Sequence, residues 1–359
     1  MSSQAEPPMK QQNPIRRGQH GVTLIELMVS IAIGLFLVVG LATLFSQQSG
    51  ARRSIDNTGK LIENGRYAMF VLSKDIQLAG YLGELTVPPA APAAVPNPCL
   101  LTVAELESAM PLQLQGFNNP AGAAVPACVT NHRAGTDIVV VRRADVAPVA
   151  LGAAQAGHVY LQTGVIAPLS TVFNYRFNQA PSATFDLRLK DGLTVSPLRR
   201  YITHIYFVST CSDPGADGVC GAGDDTIPTL KRLEITVTGG ARTFNTVALV
   251  EGIENMQIDY GLDVLLPAAP GAIDGSADLF TEGTVSNGAV AMTAEDWTNV
   301  VAVRIHLLAR SLDPEAGYQD GKVYNLGLAG NTAATGDAFK RHVFSQLVRV
   351  VNPSGRREP

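Results

Sequence analysis

The sequence lacks the features that would indicate an enzyme or a nucleic-acid-binding protein. Its 27 Lys and Arg residues face 31 Asp and Glu residues, so no basic excess is available to attract nucleic acid. It contains neither a Gly-x-Ser-x-Gly nucleophile motif nor a His-Glu-x-x-His zinc helix. The histidines are scattered singly, at His20, His132, His158, His204, His306 and His342. We therefore expect no catalytic activity and no cofactor.

Proline and charge are both scarce in one long stretch near the N-terminus. Proline is absent from residues 22–87, and Glu26 is the single charged residue in 22–45. This apolar run approaches the ~20 residues that a helix needs to cross ~30 Å of hydrocarbon. It is longer than the ~7–15-residue core of a secretory signal peptide. The basic residues Lys10, Arg16 and Arg17 precede it, which favours a cytoplasmic N-terminus and a periplasmic remainder.

The presence of Glu26 in this apolar run requires an explanation, because a carboxylate within a membrane segment costs a few kcal/mol unless it is paired. The residues Gly21-Val22-Thr23-Leu24-Ile25-Glu26 resemble a type IV prepilin (class III) leader, which ends in Gly and has Glu as the fifth mature residue. The resemblance implies cleavage between Gly21 and Val22 by a prepilin peptidase, and N-methylation of Val22. It also implies that Glu26 meets the N-terminal amine of a neighbouring subunit during assembly. An ordinary membrane anchor is the alternative.

The apolar run continues into a predicted helix over residues 22–83, of which 22–45 would span the membrane. Beyond the span, apolar or small residues recur at helical spacing, which predicts a face packed on a domain. This stripe comprises Ile55, Thr58, Ile62, Gly65, Met69, Leu72, Ile76 and Ala79. The opposite, polar face is predicted to carry Arg52, Arg53, Lys60, Glu63, Arg66, Lys74 and Asp75. Gly80 and Gly83 are candidate helix stops.

Strands dominate the rest of the chain, with one short helix predicted after Thr102, where Thr102 and Glu105 form a capping box. β-branched runs separated by Gly, Pro and Asn predict a large antiparallel β-rich domain over 84–359. The candidate strands are 137–143, 158–163, 185–190, 201–209, 230–237, 247–263, 300–310 and 339–352.

Several segments narrow the resemblance to the PilW family of minor pilins. The helix end carries Asn64-Gly65-Arg66-Tyr67-Ala68 and then Ala79-Gly80-Tyr81-Leu82-Gly83. The C-terminal half carries Tyr260-Gly261-Leu262-Asp263, then Trp297, then Leu307-Leu308-Ala309-Arg310-Ser311. The final strand ends in Val351-Asn352 where the family has Arg-Asn. The resemblance implies an α+β, pilin-like fold with a long N-terminal helix packed on a β-rich head.

Four cysteines lie in the part expected in the oxidising periplasm: Cys99, Cys128, Cys211 and Cys220. An even count in such a compartment suggests disulfides, and three pairings are possible. Proximity in sequence favours Cys99–Cys128 and Cys211–Cys220. A zinc site is disfavoured because no Cys-x-x-Cys occurs.

A glycine-rich loop around the last two cysteines carries four aspartates: Asp213, Asp217, Asp224 and Asp225. Carboxylates in a closed loop can offer oxygen ligands to Ca²⁺, although the spacing is not that of an EF-hand. We expect a solvated acidic loop and keep Ca²⁺ as the alternative.

The resemblance implies a minor pilin that resides in the inner membrane with a periplasmic head and then enters the tip of a type IV pilus. Its implied partners are other minor pilins and the major pilin through the N-terminal helix, the prepilin peptidase, the inner-membrane assembly machinery and membrane lipid. Priming of assembly, motility, adhesion and DNA uptake follow by resemblance. The alternatives are a minor pseudopilin of type II secretion and a membrane-anchored adhesin.

Overall fold

A computed structural model of the chain describes residues 21–166, 173–264, 273–285, 290–333 and 335–358. By its internal contacts the chain divides into two units, 1–55 and 56–359. Most of the predicted leader, 1–21, lies outside the described residues.

The longest element is helix α1 (Leu24–Leu78). It is shorter than the predicted 22–83 at its C-terminal end. Gly80 has a φ of +70° and donates its N–H to the Arg142 carbonyl at 2.9 Å, so the chain leaves the helix there. The side-chain amide of Asn352 donates to the carbonyls of Leu78 and Ala79 at the helix end, at 3.3 and 3.2 Å. Gly80 is therefore a helix stop, as predicted, but the helix ends at Leu78, five residues earlier than expected.

In its described residues the head contains three short α-helices, α2 (Val103–Ala109), α3 (Ala294–Thr298) and α4 (Val351–Gly355). The capping box predicted at Thr102 is present: the Thr102 hydroxyl accepts from the Glu105 N–H, and the Glu105 carboxylate accepts from the Thr102 N–H. Thr293 and Asp296 cap α3 in the same way. Each box satisfies donors at a helix start that would otherwise be unpaired.

The strands of the described part of the head are β1 (Leu114–Phe117), β2 (Ile138–Ala144), β3 (Val159–Gly164), β4 (Asn174–Gln179), β5 (Leu198–Ser209), β6 (Thr229–Thr238), β7 (Ala241–Glu251), β8 (Ile253–Leu262), β9 (Leu279–Thr281), β10 (Thr284–Val285), β11 (Val290–Ala291), β12 (Val300–Arg310), β13 (Val323–Asn325), β14 (Asn331–Ala333) and β15 (Arg341–Arg349). All pairings between these described strands are antiparallel. The predicted α+β, pilin-like fold with an antiparallel head is confirmed.

Two sheets carry most of these strands. In the seven-stranded sheet, β5 is the branch point: it pairs with β2 along one edge, and with β6 and then β3 along the other. The four-stranded sheet has the order β15-β12-β8-β9. Apolar residues of both sheets and of the last turns of α1 form one continuous core. This core holds α1 from Leu61 onward against the head.

Two strand predictions need correction. Residues 185–190 form no strand, because Arg188 alone bridges to Val165 and Val195. The stretch 247–263 is two strands, β7 and β8, separated by Gly252. Gly252 has a φ of +79°, and its N–H donates to the Pro228 carbonyl at 2.8 Å. A side chain here would be strained, so glycine permits the turn that starts the second sheet.

Candidate assembly site

The start of α1 is closed by a capping box that was not predicted from the sequence. The Thr23 N–H donates to Glu26 Oε2 at 3.3 Å, and the Glu26 N–H donates to Thr23 Oγ1 at 3.3 Å. The Thr23 hydroxyl lies at the same distance from the carboxylate. The spacing Thr23-x-x-Glu26 is the one that predicted the cap at Thr102, so the signal was in the sequence. Glu26 therefore has a local partner within its own chain.

The first part of α1 presents apolar side chains on all sides. Among residues 24–60, all of which the structure describes, none is buried. Phe36 is 86% exposed and Leu37 is 64% exposed. Within the described residues, α1 is the one helix long and apolar enough to cross a membrane. A continuous apolar surface of this size needs lipid or other protein to cover it.

The last part of α1 uses its apolar residues differently. Leu72, Ile76 and Ala79 of the predicted stripe are fully buried, and Met69 is nearly so. The stripe begins later than predicted, because Ile55 is 70% exposed and Thr58 is also exposed. Burial starts at Leu61, where the head begins to cover the helix. The predicted seam is thus correct from its third member onward and wrong for its first two.

Gly65 is a point of close contact between α1 and the head. A Cβ added at Gly65 would overlap the ring of Phe344 on β15. Glycine is therefore required here by packing rather than by backbone conformation, and its place in the Asn64-Gly65-Arg66 motif has a physical reason. Asn64 also contributes, since its side-chain amide donates to the Glu251 carbonyl at 3.1 Å.

Asp75 was predicted to lie on the polar face of α1. This prediction is wrong, because Asp75 is buried against the seven-stranded sheet. Arg143 Nε donates to its Oδ1 at 2.7 Å. His204 Nδ1 and the Tyr206 hydroxyl lie 2.6 and 2.8 Å from its Oδ2. We call Asp75, Arg143, His204 and Tyr206 the Asp75 cluster. The cluster joins α1 to strands β2 and β5 by hydrogen bonds and an ion pair, and the surrounding interface is apolar.

Two opposing effects set the ionisation of the Asp75 cluster. Burial alone would raise the pKa of Asp75, but the His204 hydrogen bond and the nearby Arg143 guanidinium hold the pKa of that carboxyl well below its ordinary value. Burial and the adjacent carboxylate raise the pKa of the Tyr206 phenol. Tyr206 thus donates its proton to a charged Asp75. Periodicity alone could not reveal this, because it separates charged from apolar residues but does not identify a paired charge.

The cysteines form two disulfides, Cys99–Cys128 and Cys211–Cys220, with Cα atoms 5.4 and 5.7 Å apart. These are the pairings that sequence proximity favours. The first joins the proline-rich loop after α1 to the loop before β2. The second closes the acidic loop between β5 and β6. Both lie in loops outside the regular strands.

The four aspartates of the acidic loop each accept backbone N–H groups. Asp225 accepts from Ser212, Asp213 and Ile227, at 2.8 to 2.9 Å. Asp224 accepts from Gly221 at 2.7 Å, Asp213 from Gly215 and Asp217 from Val219, both at 3.0 Å. Among the described residues no group of three or more His, Cys, Asp or Glu could hold a metal ion. The carboxylates stabilise separate turns of the loop.

The four-stranded sheet aligns a serine, a histidine and an aspartate. His306 Nδ1 lies 2.8 Å from Ser345 Oγ, and its Nε2 lies 3.2 Å from Asp259 Oδ2. Gly327 packs against this imidazole so closely that any side chain there would overlap it. Asp259 also accepts the Leu328 N–H at 3.3 Å. The arrangement fastens the turn at Gly327 to three neighbouring strands, and we assign it a structural role.

Two family models match the chain. Residues 16–42 match the prokaryotic N-terminal methylation motif. Residues 205–352 match Type IV Pilus-assembly protein W, PilW. The searches of curated proteins and of solved structures gave no match. The first matched range ends within the apolar start of α1, and the second runs from β5 into α4.

The N-terminal motif, the exposed apolar helix and the antiparallel head together support one class of protein, a type IV pilus pilin with a class III prepilin leader. Within that class it is PilW-like, as the second match shows. PilW proteins are components of the pilus rather than a known enzyme family. The findings support a minor-pilin role, anchorage in the inner membrane and partnership with pilus assembly components.

Proposed function

We propose that this minor pilin primes assembly of the type IV pilus as part of a complex at the pilus tip. On this proposal the prepilin peptidase cleaves after Gly21, and Val22 becomes the methylated N-terminus. Before assembly the chain resides in the inner membrane with its head in the periplasm. It then enters the fibre beside other minor pilins and the major pilin. Pilus-dependent motility, adhesion or DNA uptake would depend on it indirectly.

The observation that carries the proposal is the unburied apolar surface of α1 between Leu24 and Phe45. Covering these apolar side chains with other helices releases ~25 cal/mol for each Å² removed from water, and lipid can supply the same cover before assembly. The helix can therefore exchange lipid for neighbouring subunits without leaving an apolar environment. Packing contacts and paired polar groups then decide where it settles.

Glu26 would set the position of the helix in the fibre. Its capping hydrogen bonds to Thr23 use part of the carboxylate, and the remaining lone pairs and the charge can meet the amine of a neighbouring subunit. A charged group at this depth favours a paired site over an unpaired one by a few kcal/mol. The proposal thus assigns two functions to Glu26, capping its own helix and pairing with a neighbour.

Substitutions at two positions separate these functions. Glu26→Gln keeps an oxygen acceptor for the Thr23 cap but removes the charge, whereas Thr23→Val removes the hydroxyl and keeps the charge. We expect Glu26→Gln and Glu26→Ala to reduce surface pili strongly, and Thr23→Val to have a small effect. The measurement is a count of pili by electron microscopy, with immunoblots to show equal chain in the membrane. Normal piliation with Glu26→Gln would show that the charge has no part in assembly.

A deletion strain distinguishes the pilus from a type II secretion system. Loss of pili with normal secretion supports the proposal, whereas normal piliation with lost secretion supports a minor pseudopilin.

A further inference from the structure

The edge of the four-stranded sheet at β15 has one unpaired side. β15 pairs with β12 along its whole length and has no second neighbour among the described strands. The Val350 N–H donates to the Val301 carbonyl, and the Lys340 carbonyl accepts from the Ser311 N–H, both at 2.8 Å. Because backbone groups alternate in direction along an antiparallel strand, even-numbered residues face β12. The N–H and C=O groups of Val343, Ser345 and Leu347 therefore face outward.

This edge has little of the protection that exposed strands usually carry. Natural proteins block such edges with charges, prolines or bulges. The segment 342–348 contains no Lys, Arg, Asp, Glu or Pro, and its pairing with β12 is regular throughout. Leu347 is 59% exposed. The strand is thus able to pair with a further strand.

A groove of about 480 Å³ runs between this edge and α1. Met69 and Phe344 contribute apolar surface to it, and Phe70 is 55% exposed beside them. On the helix side it carries Arg66 and Lys74, both exposed. Its lining contains no carboxylate, and neither cation forms an ion pair within the described residues. The groove is therefore apolar at its floor and positive at its helix wall.

The geometry points to strand addition at this groove: an extended, acidic segment of another polypeptide pairs with β15 and lies against α1. Its amides would bond to Val343, Ser345 and Leu347, as in other cases of strand addition. On the side facing α1 its carboxylates would meet Arg66 and Lys74, and on the other side apolar residues would cover Leu347. The natural source would be a neighbouring subunit at the pilus tip, and that identification rests on the proposed function.

The test uses the full chain in detergent and a synthetic peptide as probe. The probe is a short acetylated, fluorescein-labelled peptide in which Val and Glu alternate, and its binding is measured by fluorescence anisotropy. One comparison peptide has Lys in place of Glu, and another has every second amide N-methylated. We expect the acidic peptide to bind, the Lys peptide to bind at least about tenfold more weakly, and the N-methylated peptide to lose binding.

Variants of the chain complete the test. Leu347→Pro removes an outward N–H and leaves the bonds to β12, whereas Leu347→Thr changes the side chain and keeps the N–H. We expect Leu347→Pro to abolish binding and Leu347→Thr to retain it, with equal fluorescence of the buried Trp297 showing that both heads are folded. Arg66→Glu combined with Lys74→Glu should weaken binding of the acidic peptide about tenfold or more and favour the Lys peptide.

The proposal is overturned if the acidic peptide does not bind, or if the N-methylated peptide or Leu347→Pro binds as well as its control. Equal binding of the Lys peptide would overturn the acidic class of partner. Because the probe needs neither pili nor a functional N-terminus, these results stand apart from the Glu26 experiments. If the peptide bound and the Glu26 variants were normally piliated, strand addition at the groove would be supported and the role of the Glu26 charge in assembly would be contradicted.

Discussion

The two parts of α1 have similar shares of apolar residues but use them in opposite ways. From Leu24 to Lys60 no side chain is buried, whereas from Leu61 to Leu78 one stripe is packed into the core of the head. The first part carries a single charged residue before Phe45, Glu26. The second part carries several charged residues beside its apolar stripe, and one of them, Asp75, lies among the buried residues. A single helix therefore contains a segment that needs an external partner and a segment whose partner is its own chain.

The largest effect should come from the charge buried in the second part. Asp75→Asn leaves Arg143 without its counter-charge, and removing one partner of a buried ion pair costs about 3–5 kcal/mol. Asp56→Asn, at an exposed carboxylate of the same helix, should change stability by less than about 0.5 kcal/mol. Urea unfolding monitored by Trp297 fluorescence measures both. Equal midpoints for the two variants would show that the Asp75 cluster does not hold the helix.

The same cluster predicts how stability depends on pH. Because the folded state lowers the pKa of Asp75 below its ordinary 3.8, ionised Asp75 stabilises the fold. This contribution is complete above the unfolded pKa and is lost as pH falls below 3.8 toward the folded pKa. The wild-type and Asp75→Asn unfolding midpoints should therefore converge as the medium becomes acidic. A constant difference down to pH 2 would contradict the assigned direction of the shift.

A matched pair of leucines compares the two segments directly. Leu72 is fully buried, so Leu72→Ala should destabilise the head by about 2–5 kcal/mol. Leu37 is 64% exposed in the first part, so Leu37→Ala should leave the unfolding midpoint unchanged. Urea unfolding of Leu72→Ala, Leu37→Ala and the wild type measures this difference in unfolding midpoint. If Leu37→Ala destabilised the head as much as Leu72→Ala, the first part would not be independent of the core.

A matched pair of glycines gives the smallest expected effect. Gly65→Ala places a methyl group against the Phe344 ring, which should cost about 1–3 kcal/mol. Gly59→Ala points into open space and should stabilise the helix by up to about 1 kcal/mol. The two changes are chemically identical, so opposite shifts in thermal midpoint would show that packing on β15 is the reason for Gly65. Shifts of the same sign would contradict it.

Sequence patterns predicted the parts of the fold that depend on local chemistry. The apolar run, the stop at Gly80 and the capping box at Thr102 follow from residue type and spacing alone, and the structure contains them. The strand expected at 185–190 did not form, because a strand needs a partner and the sequence does not show which segments lie side by side. The burial of Asp75 was missed for the same reason, since Arg143 and His204 approach it only after folding.

The predictions at the N-terminus came from a short motif. Glu26 stands out because it interrupts an apolar run, and Gly21-Val22 stands at the start of that run, so the processing and pairing roles stay predictions. The cap between Thr23 and Glu26 was missed although its spacing is diagnostic. The groove beside β15 could not be predicted from the sequence, because it depends on the order of the strands in the sheet and on which backbone groups lack a partner.

Mass spectrometry of the chain isolated from assembled pili shows whether it is processed as a prepilin. We expect an N-terminus at Val22 that carries one added methyl group, with residues 1–21 absent. An intact leader, or a mature N-terminus at any other residue, would contradict it.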